Sequence, residues 1–329
     1  MWASIGYAIF AVGCEVSGIT VSKIIVKWFK GKEMAMAMGL QVALARIGTA
    51  LALVITVPFA NYFKSVPAPV LFGAALLCIG MLSFFIYTFM DKKLDAEKQK
   101  ENGVEEEEGF RLSDVKVILR NKGFWLIALL CVLFYSCVFP FLKYATDLMV
   151  NKFDVDIKLA GLIPGLLPFG TILLTPFFGG IYDKKGKGAT IMIIGAFLLL
   201  FVHILFSIPF LNNWVLAVIL MIVLGIAFSL VPSAMWPSVA KIIPEKQLGT
   251  AYALIFWIQN IGLMGVPFLV GKVLEKFCKL PSVNGKSAYD YTLVMEIFSV
   301  LALFSIFVAF ALKREDKKKG YGLEKKNIQ

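Results

Sequence analysis

Runs of about 20 mainly apolar residues recur along the whole chain, each long enough to cross the hydrocarbon core of a bilayer as a helix. Nine such runs are read, at roughly 3–27, 36–60, 68–90, 123–147, 160–182, 189–209, 213–240, 249–272 and 290–312. The first carries Glu15 and Lys23 and is the least apolar of the nine. Lipid offers no partner to a free backbone group, so segments of this kind span as helices. The fold class that follows is all-α and polytopic. Composition agrees: of 329 residues, 59% are hydrophobic and 17% charged, against roughly 45–50% and 25% in a soluble domain. The same balance excludes disordered, collagen-like and disulfide-scaffold classes. Cys14, Cys78, Cys131, Cys137 and Cys278 show no CxxC spacing, and the first four sit in apolar runs. They read as small buried hydrophobes. His203 is the single histidine, and one histidine builds no metal site. No metal and no cofactor are expected.

The net charge of +11 raises nucleic acid as a partner until the bases are located. Loops must alternate sides of the membrane. Those at 28–35 (with Lys27), 91–122, 183–188, 241–248 and from Lys313 onward hold 23 Lys and Arg, whereas the opposite set holds 7. The positive-inside rule places the first set in the cytoplasm. Topology therefore distributes the bases, and no nucleic-acid patch results. With nine spans and a cytoplasmic C-terminus, Met1 is expected outside. No basic leader precedes it and no cleavage pattern follows, so no signal peptide is expected.

The segment 91–122 is the one long polar connection. It holds the acidic run Glu105–Glu108 and reads as a flexible or partly helical linker between two bundles, with the acidic run as a solvated surface. Arg111–Lys122 suggests a short interfacial helix with Val115, Ile118 and Leu119 on one face. Gly179-Gly180-Ile181-Tyr182-Asp183-Lys184-Lys185-Gly186-Lys187-Gly188 joins two spans. It reads as a tight hairpin whose glycines allow close packing and positive φ. Its Asp183 can accept N–H bonds at a helix start or pair with a base. The order GxxxxGK[ST] is absent, so this is no phosphate loop. Lys27-Trp28-Phe29-Lys30-Gly31-Lys32-Glu33 reads as a second hairpin.

Charges inside spans are costly and usually face a polar cavity or a partner. Glu15 lies in the first span and Arg46 in the second, each roughly 18–20 Å from the turn between them at 1.5 Å per residue. They form either a fixed pair or two poles of a cavity, Glu15 for a cationic group and Arg46 for an anionic one such as a carboxylate. Lys143, Tyr144 and Asp147 lie near the outer end of the fourth span, where Lys143 either snorkels or faces substrate. Tyr135 is deeper in that span. Pro232 and Pro237 flank Trp236 and are expected to kink or open the helix there. Pro164, Pro168 and Pro176 are expected to interrupt the 160–182 span. Gln259 and Asn260 form a polar pair that bonds between helices or touches substrate. No GxSxG, HExxH or paired carboxylates occur, so passage of a solute fits better than chemistry, and no enzyme is expected.

With these residues in place, Gly179 to Gly188 resembles the inter-helix signature G-x-x-x-D-[RK]-x-G-[RK]-[RK] of the major facilitator superfamily. Gly188 departs from its last basic position. The resemblance implies twelve helices in two halves joined by a cytoplasmic linker. This chain then looks like 1–90 as a partial three-helix N-terminal bundle, 91–122 as linker, 123–312 as the six-helix bundle and 313–329 as a basic cytoplasmic tail. The first three helices would be missing. Gly13-Cys14-Glu15, Trp28 to Glu33, Gly39-Leu40-Gln41, Ala45-Arg46-Ile47-Gly48, Trp236-Pro237, Ile243-Pro244, Gln247 to Tyr252 and Ile258-Gln259-Asn260 are similar to the lysosomal dipeptide transporter branch. Tyr7 and Ala11 depart from that branch. The resemblance implies a dipeptide uniporter working by alternating access, accepting dipeptides with basic residues. Glu15 and Arg46 would touch substrate, joined by Trp236, Gln259, Asn260, Tyr135 and Lys143. Gly179, Asp183, Lys184, Gly186 and Lys187 would form the gating loop. A bacterial plasma membrane is expected, or a lysosomal one in an animal, with the lipid bilayer and a dipeptide as partners and no obligate protein partner. The alternatives are another organic solute, or a non-transporting membrane receptor or assembly component.

Overall fold

The computed structural model describes residues 2–102, 112–157, 159–283 and 286–328. Its helices are α1 (Trp2–Phe29), α2 (Met34–Tyr62), α3 (Ala68–Asn102), α4 (Leu112–Arg120), α5 (Lys122–Phe153), α6 (Leu162–Lys185), α7 (Gly188–Ser207), α8 (Trp214–Ile242), α9 (Leu248–Phe277) and α10 (Thr292–Lys319). Among the described residues, 8 helices are long and apolar enough to cross a membrane: α1, α3 and α5 to α10. The expected span 36–60 lies in α2, where the apolar helical stretch among described residues, Met34–Thr49, is shorter. The chain divides into two compact units, Met1–Arg46 with Phe110–Gln329, and Ile47–Gly109.

In the second unit the end of α2 meets α3 through Phe59 and Phe72, whose ring centroids are 5.0 Å apart. Of the segment expected as a flexible or partly helical linker, residues 91–102 are helical, because α3 runs to Asn102. That stretch is charged but rich in Lys, Glu, Ala, Leu and Gln, all good helix formers. Tyr87 donates to Asp91 at 2.7 Å, one turn further on. The Glu105–Glu108 run lies outside the described residues.

The larger unit is built on α5 to α10. Helix α5 packs against α8, α9 and α10; α7 lies against α8 and α10, and α6 against α8. Aromatic rings fill the seams: Phe134, Phe141, Phe206, Phe228 and Phe298 are fully or almost fully buried. His203 is wedged between Phe141 and Phe298, at 5.3 Å from each ring centroid. Helix α5 starts at Asn121, whose side chain accepts the N–H groups of Gly123 and Phe124, as an N-cap should. Helix α4 forms where the interfacial helix is expected, but its Ile118 is buried. Its Asp114 accepts from Gln247 Nε2 at 3.0 Å. This helix is partly packed into the unit.

The prolines do not break their helices. Helix α8 is continuous through Pro232 and Pro237. Each proline removes one N–H bond, and both lie in a helix that is buried from Val231 to Val239, so packing holds what the backbone loses. Helix α6 likewise runs through Pro168 and Pro176. Pro164 stands in its first turn, where the N–H has no intrahelical partner anyway.

The connection after α9 carries a β-hairpin. Strands β1 (Lys279–Val283) and β2 (Lys286–Tyr289) pair antiparallel, Lys279 opposite Tyr289. The intervening sequence Asn284-Gly285 is a hairpin signal the span-by-span reading passed over. Next to it, Tyr291 donates to Asp147 at 2.5 Å.

Helices α2 and α6 approach closely because glycine lines both. A Cβ on Gly179 would lie 2.4 Å from the Ala35 carbonyl oxygen, and one on Gly39 2.8 Å from Pro176 Cα. Both neighbours are backbone, which cannot rotate away. Gly179→Ala is therefore expected to destabilise the fold by about 1–3 kcal/mol, the cost of overpacking, read as a lower melting temperature in detergent than Gly180→Ala, whose nearest neighbour is the flexible Met36 side chain at 3.9 Å.

Candidate functional site

Arg46 is half-buried on α2. Its guanidinium carbon lies 5.1 Å from the Phe139 ring centroid and 5.3 Å from that of Phe228. Its Nε is shut off from solvent with no hydrogen-bond acceptor in range. Aromatic faces attract a cation but accept no N–H in the way a carboxylate does. Arg46 is thus held in place with a donor still open.

The rings around it come from helical spacing. Tyr135 and Phe139 are four apart on α5 and share a face. Tyr135 lies 5.5 Å from Phe139, 5.6 Å from Phe228 and 6.3 Å from Trp236. Trp236 donates from Nε1 to the Tyr135 hydroxyl at 3.0 Å and stacks on Phe256 at 5.0 Å. Its carbonyl accepts from Tyr252 at 3.1 Å. Helices α5, α8 and α9 so build one continuous aromatic cluster with Arg46 on it.

Glu15 is exposed on α1 and accepts from Asn260 Nδ2 of α9 at 3.2 Å. Of the two alternatives read for these charges, the fixed pair is not formed: Glu15 and Arg46 make no ion pair with each other among the described residues. Asn260 takes the carboxylate and the rings take the guanidinium. Gln259 and Asn260 also part company, because successive helical residues point about 100° apart. Gln259 is buried and accepts from Cys131 at 3.1 Å. One turn on, a Cβ at Gly262 would meet Ser136 Oγ at 2.4 Å. That face of α9 is the seam with α5, and Gln259 belongs to it. Lys143 is exposed and sits eight residues, about 12 Å of helix, from Tyr135. It bonds to none of the other candidates among the described residues. Phe139, Phe228, Phe256 and Tyr252 were missed; the Tyr135/Phe139 and Tyr252/Phe256 spacing of four was the available signal.

The second cluster surrounds Asp183, which is completely buried. Its Oδ1 accepts the Ala35 N–H at 2.9 Å and its Oδ2 the Met36 N–H at 2.7 Å. These are free donors in the first turn of α2, where the helix dipole favours a negative charge. Of the two options read from sequence, Asp183 takes the helix start. Gly186 (φ 72°) and Lys187 (φ 65°) turn the chain into α7. Lys184 and the Lys187 side chain are exposed. On the same end of the unit, Lys30 pairs with Glu245 at 3.0 Å. The segment after α10, expected as a basic tail, differs from that expectation. Helix α10 continues to Lys319, and residues beyond it fold back: Leu323 is fully buried, and Asn327 Nδ2 donates to Asp183 Oδ1 at 2.7 Å.

Trp236→Phe keeps the ring and removes the donor to Tyr135. It is expected to cost about 0.5–1.5 kcal/mol in detergent unfolding, whereas Trp257→Phe, on an exposed site of α9, is expected to change little.

A family model described as Major Facilitator Superfamily matches residues 2–267. The chain is 32% identical over 284 residues to the lysosomal dipeptide transporter MFSD1 of Gallus gallus, covering 82% of this chain and 62% of that protein. With the Homo sapiens protein of the same name it shares 28% over 279 residues, covering 82% and 58%. With the inner membrane transport protein YdiN of Escherichia coli (strain K12) it shares 31% over 163 residues, covering 47% and 38%. The chain spans about three-fifths of the length of the MFSD1 relatives it matches. No group of His, Cys, Asp and Glu suited to a metal occurs among the described residues.

Proposed function

Because the chain belongs to the Major Facilitator Superfamily, whose members are carriers and not enzymes, we propose that it carries small organic solutes, dipeptides first among them, across a membrane by alternating access. Uniport is the simplest form of that reading. The observation that carries it is Arg46: a cation fixed against Phe139 and Phe228 with its buried Nε lacking an acceptor. A carboxylate is the acceptor that matches a guanidinium in charge and geometry. Glu15, accessible and held by Asn260, suits the amino group or a basic side chain at the other end of the solute. The aromatic cluster running from Tyr135 through Trp236 to Phe256 offers apolar faces to the part between. Gln259 and Lys143 recede in this reading, the first as a seam residue and the second as a headgroup-level base.

The relatives named as dipeptide transporters support the substrate class. The layout that accompanies the proposal takes 1–90 as a partial N-terminal bundle, 123–312 as a six-helix bundle and the base-rich side as cytoplasmic. A plasma membrane, bacterial in the first instance, is the proposed location. The corresponding gate is Gly179 to Lys187, with Asp183 as its charged element.

Uptake of a radiolabelled lysine-containing dipeptide into proteoliposomes tests the reading. The full chain is compared with a version extended upstream by its genomic sequence, each with Arg46→Ala and Glu15→Gln. Arg46→Ala is expected to weaken binding and uptake roughly ten- to hundredfold, the range for a lost charge-assisted bond, and Glu15→Gln less. Undiminished dipeptide uptake in folded Arg46→Ala would remove the site. Competition by sugars or free amino acids instead of dipeptides would move the substrate class. Folded protein without uptake or binding in any version would favour a receptor or assembly component.

A further inference from the structure

The residues after α10 were expected as a basic cytoplasmic tail. The structure gives them a defined path. Gly320 (φ 72°) ends α10 and Gly322 (φ 82°) reverses the chain. Asp316 Oδ1 accepts the N–H groups of Gly322 and Leu323 at 2.8 and 3.0 Å, which fixes the turn. Leu323 inserts beside Tyr182, and its carbonyl accepts the Gly188 N–H at 2.9 Å. The Glu324 carboxylate takes the Thr190 N–H and hydroxyl at 2.8 and 2.9 Å, in the first turn of α7 where an anion is favoured. Lys241 of α8 donates to the carbonyls of Gly322 and Lys325. Tyr321 donates to Asn121, the cap of α5. Residues 320–328 thus tie together the ends of α5, α6, α7, α8 and α10.

The path finishes on Asp183. The N–H groups of Asn327 and Ile328 donate to its carbonyl at 3.1 and 3.2 Å, and Asn327 Nδ2 donates to Oδ1. That oxygen is the one that also receives the Ala35 N–H. Asn327 is itself buried. Three donors therefore fix the carboxylate: two from α2, which must leave when this side of the molecule opens, and one from Asn327, which stays with α6.

We propose that Asn327 is a positioning residue for the Asp183 gate: it holds the carboxylate aimed at the N-terminus of α2, so that closure of the hairpin side needs no ordering of the side chain. The rest of the segment, through Leu323, Glu324 and the Lys241 contacts, exists to seat Asn327. A pre-aimed group loses less freedom on association than a free one, so the segment biases the equilibrium toward the state in which α2 and α6 touch. This inference deepens the carrier reading and rests on it for its meaning, but its test does not need a substrate.

The test is a distance distribution by pulsed electron resonance in the full chain, with spin labels at positions 32 and 185, both exposed, and Cys14 and Cys78 replaced by serine. The wild-type background, Asn327→Ala, the isosteric Asn327→Asp and the control Lys326→Ala, at an exposed position, are compared after helix content and elution volume are checked. Asn327→Ala is expected to raise the ratio of long to short distances roughly two- to tenfold, the effect of one hydrogen bond. Asn327→Asp should do so at least as strongly, since it replaces the donor by a like charge, and Lys326→Ala should not. Unchanged distances in folded Asn327→Ala or Asn327→Asp would overturn the proposal. So would an equal change in the Lys326→Ala control, which would make tail charge the cause. Loss of fold in both Asn327 variants would make it a folding residue and overturn the assignment too. Absence of dipeptide uptake by the wild type would count against the substrate reading alone.

Discussion

A buried carboxylate must find donors before the helix that carries it can pack, and Asp183 finds them on two sides at once. The constraint reaches far along the chain. It requires the first turn of α2 to lie within bonding distance of α6, which only glycine at 179 and 39 permits. It requires a left-handed turn at Gly186 and Lys187 so that α7 departs without covering the carboxylate. It requires the chain after α10 to reverse at Gly322 and return. Remove the need to satisfy this one group and no local preference explains why so many polar residues of a membrane chain fold inward at the same end. The net value of each bond is modest, but a charge left buried without donors would cost several times more.

Arg46 answers the same problem differently. Its charge is matched by no carboxylate among the described residues, although Glu15 lies on the neighbouring helix. The rings of Phe139 and Phe228 supply attraction of about 0.5–2 kcal/mol, enough to fix the side chain and too little to saturate it. A direct Glu15–Arg46 pair would have neutralised both charges within the chain. Splitting the two charges, with Asn260 on one and aromatic faces on the other, leaves neither neutralised by the other.

The helices were legible in the sequence because lipid demands long apolar runs, and among the described residues eight of the nine runs coincide with helices of sufficient length and hydropathy. Ends were less legible. Helix α3 continues into charged residues, since helix propensity does not stop where hydropathy does. Pro232 and Pro237 were expected to kink or open α8, and the helix does not open, being continuous through both. In the candidate site, residue type singled out Arg46, Glu15 and Trp236, because charge or an indole inside an apolar helix has few alternatives, and the hairpin pattern singled out Asp183. Which partner each takes was not legible. Asn260 and Gln259 are adjacent in sequence and diverge by the pitch of the helix. Asn327 was invisible to any pattern, being one amide in a lysine-rich segment whose meaning depends on a contact 144 residues away.

The departure at Gly188 and the folded segment after α10 are one fact seen twice. The superfamily resemblance implies a basic residue at this position, and this chain has glycine. A Cβ there would lie 2.6 Å from the Tyr182 ring and 2.8 Å from the Leu323 carbonyl. The Gly188 N–H donates to that same carbonyl, so the segment packs on the bare backbone that a side chain would cover. A larger residue would have to displace either Tyr182, which is fully buried, or Leu323. The base that the pattern places in the hairpin has a counterpart in Lys241, which reaches in from α8 over the Tyr182 ring at 4.9 Å and grips the carbonyls of Gly322 and Lys325. A cation remains at the site, supplied from another helix, and the space vacated at 188 is what lets the chain beyond α10 reach Asp183.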